Sequence, residues 1–142
     1  MKITSAAFEN NAKIPSKYTC DGENINPPLS FSGVPANAKS LVLIMDDPDA
    51  PNGTWVHWMV FNINPKINEI SENSLPKDGI EGVTSFGKKG YGGACPPSGT
   101  HRYFFKLYAL DTILNLTNPN KAALEKEIQD HIIEKAELIG LY

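Results

Sequence analysis

The chain has 142 residues, 41% of them hydrophobic and 20% charged, and 13 basic against 16 acidic side chains leave a net charge of −3. That size suits one domain spanning residues 1–142, with core enough to need no staple. The composition argues against disorder, and the absent basic excess argues against nucleic-acid binding.

Lys2 to Phe8 reads as a first strand. Residues 9–39 read as mostly irregular, broken by Pro15, Asp21-Gly22, Pro27-Pro28 and Pro35. Leu41–Met45 is the longest apolar run. It is far short of the ~20 residues of a membrane span, but it suits a strand buried on both faces. Asp46-Asp47-Pro48-Asp49 breaks it. Thr54–Ile63, TWVHWMVFNI, is aromatic and β-branched, so a strand is expected there, followed by a polar connection to about residue 82. Residues 87–100 hold five glycines and two prolines, which predicts a shaped loop. Arg102–Leu110 is a further aromatic strand. Asn118-Pro119 offers an N-cap, and Leu124, Ile128, Ile132 and Ile139 recur at helical spacing before Gly140. This predicts a C-terminal helix of about 20 residues. The elements together predict a mainly antiparallel β-sandwich with helix packed at its side.

The N-terminal MKITS lacks the apolar stretch of a signal peptide. The expected location is therefore the cytoplasm, where the widely separated Cys20 and Cys95, forming no Cys-x-x-Cys unit, are expected as free thiols.

Three histidines differ in setting. His131 falls beside the helical Ile128/Ile132 stripe and reads as a boundary residue. His57 lies inside a strand, and alternation places it on the face of Trp55, Met59 and Phe61. His101 opens the next strand and shares a face with Tyr103. Each could be a satisfied core histidine, but a common pocket would serve both, since an unpaired buried polar group costs about 1–3 kcal/mol. The acids after Met45 could be turn formers, or one could orient an imidazole. A metal site from Asp47, His57 and His101 lacks a closely spaced ligand pair. No Gly-x-x-x-x-Gly-Lys-Ser/Thr loop is present, and Ser98 has no nucleophile elbow. No metal or cofactor is expected.

Read together, Asp47-Pro48-Asp49-Ala50-Pro51, Trp55-Val56-His57-Trp58 and Gly99-Thr100-His101-Arg102-Tyr103 resemble the signature blocks of the phosphatidylethanolamine-binding protein family, also called Raf-kinase-inhibitor-like. Tyr18–Asn24 and the ending Ala136–Tyr142 are similar to its short bacterial and archaeal branch. The resemblance implies a sandwich-like fold with a small anion-binding pocket. It implies Asp47 as the pocket acid, His57 and His101 as pocket histidines, Tyr103 beside them, and Pro51 and Gly93 at the mouth. It also implies a cis peptide at Gly53-Thr54. Where the branch often reads Gly-Pro-Cys-Pro-Pro, this chain has Gly93-Ala94-Cys95-Pro96-Pro97, which is expected to loosen the loop.

The function so implied is binding of a small anion or phosphate-bearing group, such as a phosphorylated protein side chain or a phospholipid headgroup, without catalysis. The competing reading is a hydrolase of a phosphate or acyl ester, since an acid, two histidines and a tyrosine can do acid–base work. The sequence fixes no oligomeric state; a symmetric homodimer is the guess for a small domain.

Overall fold

The computed structural model describes all 142 residues. Nine strands, one α-helix and a single 3-10 turn at Ser16–Tyr18 form the regular structure of the chain, the strands and α-helix in the order β1 (Lys2–Thr4), β2 (Ala12–Lys13), β3 (Leu29–Ser32), β4 (Ser40–Asp47), β5 (Trp55–Ile63), β6 (Glu69–Ile70), β7 (Ile80–Glu81), β8 (Arg102–Leu110), α1 (Lys121–Ile128) and β9 (Ile132–Leu141). They form a three-stranded sheet, β1-β3-β6, and a six-stranded sheet, β2-β9-β8-β4-β5-β7. All pairings are antiparallel except β2 with β9. The mainly β fold with a helix at its side is the one expected.

β4 is buried along its whole length because both faces of its sheet are covered. Leu41, Leu43 and Met45 pack with Ile3, Leu29, Phe31 and Ile70 of the small sheet. Val42 and Ile44 pack on the opposite side with Leu124 and Ile128 of α1. Such two-sided burial is why the strand reads as an unbroken apolar run.

The C-terminal helix is shorter than the spacing suggests. Asn120, not Asn118, caps it, accepting the Ala123 amide at 2.9 Å, while Asn118 turns the chain in a left-handed conformation at φ 48°. The helix stops at Ile128, and Ile132–Leu141 becomes a strand paired with β8 from Arg102↔Leu141 to Leu110↔Ile132. The same residues carry a period-2 pattern, with Leu138 and Gly140 turned inward. A ladder along the open edge of β8 outweighs a weak local preference for continuing the helix. At Gly140 a Cβ would come within 2.4 Å of Ile14, so close packing demands glycine.

Two further expectations are corrected. Every peptide bond is trans, Gly53-Thr54 included; Gly53 makes the turn with a positive φ of 106° instead. Cys20 and Cys95 are joined in a disulfide rather than free. The fold lays Thr19 beside Ala94 in a parallel bridge, with the Cys20 amide donating to the Ala94 carbonyl at 3.1 Å. This brings the two Cα atoms to 5.5 Å, within bonding range. The bond removes thiol state as an argument for a reducing compartment. Ala94, far from loosening the loop, is fully buried in this junction. No helix is long and apolar enough to cross a membrane.

Candidate functional site

Antiparallel pairing explains how three distant motifs meet. β4 runs opposite to both its neighbours, so its C-terminal end lies beside the N-terminal ends of β5 and β8. Asp47 ends β4, His57 stands near the start of β5, and His101 immediately precedes β8. The Asp47↔Trp55 and Asp46↔Phe104 pairs hold these ends in register.

A bulge then aims His57. Met45 pairs with Trp58, but Asp46 pairs with Val56, so β5 carries one extra residue there, His57. Simple alternation would put His57 on the face of Met59 and Phe61, which pack toward α1. The bulge instead brings its ring to 5.3 Å from that of Tyr103, on the side of the larger core. Re-aiming a side chain in this way is a known use of bulges near functional sites.

The result is a cavity of about 350 Å³ lined by Asp47, Pro51, His57, His101 and Tyr103. Of the six residues singled out beforehand, Gly93 alone is off this wall. Gly93 is packed behind it, where its amide donates to Asn24 Oδ1 at 2.8 Å. A Cβ there would lie 2.5 Å from the Tyr18 carbonyl oxygen, so glycine is required by close approach. Sequence reasoning missed Ala50, Trp55, Phe86, Cys95, Pro96 and Pro97, which complete the lining. Trp55 was legible as a neighbour of His57. Phe86 was not, since it belongs to a loop with no chemical motif; its ring reaches 5.4 Å from Trp55 and 5.5 Å from His57.

Both imidazoles are tied by the same nitrogen. His57 Nδ1–H donates to the Gly92 carbonyl at 2.7 Å, and the Gly92 amide returns a bond to the His57 carbonyl at 3.0 Å. His101 Nδ1–H donates to Asp47 Oδ2 at 2.7 Å. Neither Nε2 has a protein partner, and neither is sealed from solvent. Both therefore open to the cavity that the rings line. Burial pushes the His57 pKa below the ordinary histidine range, opposed by the Gly92 carbonyl, the Asp47 charge and the Gly93 carbonyl.

The Tyr103 hydroxyl is buried and has no hydrogen-bond partner. Burial, with the Asp47 charge, raises its pKa; the Cys95 amide opposes this without being aligned as a hydrogen bond. Tyr103 thus offers the cavity a ring face rather than a hydroxyl. His131 is remote from the site and donates to Asp111 on the surface at 2.8 Å.

These features define a sandwich-type protein with a small, apolar-walled pocket floored by one acid and two imidazoles. The family model for phosphatidylethanolamine-binding protein matches residues 4–142, and the chain belongs to that family. It is 51% identical to a UPF0098 protein of Methanothermobacter thermautotrophicus, over all of this chain and 98% of that one. A solved phosphatidylethanolamine-binding protein homologue from Chlamydia trachomatis superposes with a TM-score of 0.96 at 44% identity, covering 99% of this chain and 95% of that one. E. coli YbcL, described as a new member of the mammalian family, gives 0.92 at 32%, covering 99% and 96%.

Proposed function

We propose that the protein binds a small anion or phosphate-bearing group in the Asp47/His57/His101 cavity. One observation carries this reading: the Gly92 carbonyl and the Asp47 carboxylate hold the two Nδ1 atoms, which leaves both Nε2 atoms free at the cavity these rings line. A protonated ring there donates to an anion and attracts it. Asp47 offsets the charge on His101, and Pro51, Trp55, Phe86, Pro96 and Pro97 exclude water around the contact. A phosphorylated protein side chain, a monoester, and a phospholipid headgroup, a diester, would each bring a phosphate anion to this floor, and a regulatory role would run through it.

The hydrolase reading finds less support. The cavity lining contains no serine or threonine, and its sulfur is held in the Cys20–Cys95 bond. A hydrolase here would have to use Asp47, an imidazole, Tyr103 or a water molecule as its nucleophile.

The test is a thermal-melt titration with sulfate at constant ionic strength. A saturable shift is expected, worth about 2.7 kcal/mol at a hundred times the dissociation constant. It should weaken as pH rises through the histidine range, about 5 to 8. His57→Ala and His101→Ala should abolish the shift while the proteins remain folded. A wild type without a saturable shift sinks the reading.

A further inference from the structure

We propose that the cavity selects a phosphate group bearing its own proton, one P–OH on a phosphomonoester or inorganic phosphate, over a phosphodiester or sulfate. This rests on the anion-binding reading above and names the ligand class within it.

The argument is one of donors and acceptors. A backbone carbonyl only accepts, so the 2.7 Å contact from His57 Nδ1 to Gly92 keeps a hydrogen on Nδ1 in either charge state. Nε2 is then the nitrogen that titrates, and in the neutral ring it presents a lone pair to the cavity. His101 differs in its partner. Its Nδ1 faces the Asp47 carboxylate at 2.7 Å, so a proton on its Nε2 has a contacting counter-charge.

His57 has no such partner in contact. The rings of Phe86 and Tyr103 enclose it at 5.5 and 5.3 Å. From β8 and the residue before it, the cavity it lines also holds Tyr103, whose hydroxyl is buried and stays neutral, and His101. From the loop after β7 it faces the carbonyls of Gly92 and Gly93. From β4 the charges of Asp47 and Asp46 reach it. Asp47 is already bonded to His101, however, and Asp46 to Lys106 and Lys121 at 3.0 Å each. With a proton on His101, balanced by Asp47, and a neutral His57, the floor would offer one donor and one acceptor.

A group matched to that floor must have an anionic oxygen and an O–H together. A phosphomonoester monoanion and hydrogen phosphate have both. A phosphodiester and sulfate have only acceptor oxygens near neutral pH, and these would meet the His57 lone pair unless the ring took a proton from solvent. In the monoester complex the proton comes with the ligand. Whether it rests on the phosphate oxygen or on Nε2, only an O–H bond is exchanged for an N–H bond, and no other reactant is needed.

Calorimetric titration of the full chain at about pH 6 tests this, because a phosphomonoester with a second pKa near 6 is then about half protonated. The ligands are methyl phosphate, inorganic phosphate, dimethyl phosphate and sulfate, each in two buffers of different ionisation enthalpy to count protons. Methyl phosphate is expected to bind about tenfold or more tighter than dimethyl phosphate and sulfate, the factor that one unmade hydrogen bond to a buried group commands. Sulfate, smaller than dimethyl phosphate, controls for bulk. Its binding should take up about half a proton more per site than that of methyl phosphate. The order of methyl and inorganic phosphate tells an ester source from the free ion, and either order supports the inference. In His57→Gln, whose amide both donates and accepts, the preference should fall below about threefold. Equal affinities with equal proton uptake, or a preference that survives His57→Gln, would overturn the inference and leave the anion pocket standing. Absence of binding by all four ligands would remove the pocket reading and this inference with it.

Discussion

His101 Nδ1 donates to Asp47 Oδ2 at 2.7 Å across 54 positions of sequence, and the second oxygen of the same carboxylate accepts the Asp49 amide at 2.8 Å. Asp49 is itself clamped by Arg102, whose backbone N, Nε and NH2 all lie within 3.0 Å of its carboxylate. Orientation thus passes from Arg102 through Asp49 and Asp47 to the imidazole, and each link uses a different atom.

Asp47 accepts twice, once on each oxygen. Asp47→Asn could keep the Asp49 amide on its oxygen only by turning its NH2 to His101, whose ring must then accept at Nδ1 and carry its hydrogen on Nε2, with the charge-assisted bond lost. Despite near-identical shape, this substitution is expected to cost about 1–3 kcal/mol of stability. Urea unfolding measures it, and a loss below about 0.5 kcal/mol would show that one of the two bonds contributes nothing.

The Asp49–Arg102 clamp has a signature in acid. Hydrogen bonds from the Arg102 side chain, then from its backbone amide, lower the Asp49 pKa to about 2. The folded-state value lies below the unfolded one of about 3.9. The contribution to stability is therefore present above about pH 4 and lost as pH falls toward about 2. It is small, because both side chains are partly in solvent. Carboxyl NMR titration should find Asp49 ionised down to that region, and Arg102→Ala should move it part of the way back to the ordinary range, since the backbone amide at position 102 still donates to it. An Asp49 that titrates near 3.9 in the wild type would contradict the clamp.

The Cys20–Cys95 bond closes a loop of 75 positions across one wall of the cavity. Thiol assay of the denatured, unreduced protein should find no free sulfhydryl. Cys20→Ser with Cys95→Ser should lose about 2–5 kcal/mol, mainly through the freer unfolded chain. A double variant as stable as the oxidised wild type would refute that contribution.

Tyr103→Phe removes a buried hydroxyl that has no partner. Deleting such a group relieves a desolvation cost without breaking a bond. The variant is expected to be as stable as the wild type, or up to about 1 kcal/mol more so, and to bind sulfate equally well. A loss of sulfate affinity would show that the hydroxyl reaches the ligand.

Much of the site was readable because its parts are local in sequence. His57, His101 and the acids after Met45 stood out at the ends of apolar strands, the family resemblance singled out Asp47, Tyr103 and Pro51, and these five residues line one cavity. Gly93 was marked for the mouth and lies behind it, since sequence shows that a glycine is needed and not which neighbour presses on it. Phe86 and Pro96 reach the cavity only through the path of their loops.

What the residues determined alone were the elements with strong local patterns: β4 as an apolar run, β5 and β8 as aromatic strands, and the glycine-rich loop. Tertiary structure decided whatever depended on a partner distant in sequence. Ile132–Leu141 became a strand because the edge of β8 was open to it, against a helical spacing that was locally just as good. Cys20 met Cys95 because the Thr19↔Ala94 bridge placed them together. His57 turned to the cavity because one residue more stands on β5 than on β4 between two fixed pairs. Alternation is a property of one strand and can be read from it, whereas a bulge is a mismatch between two strands and exists only once they are paired.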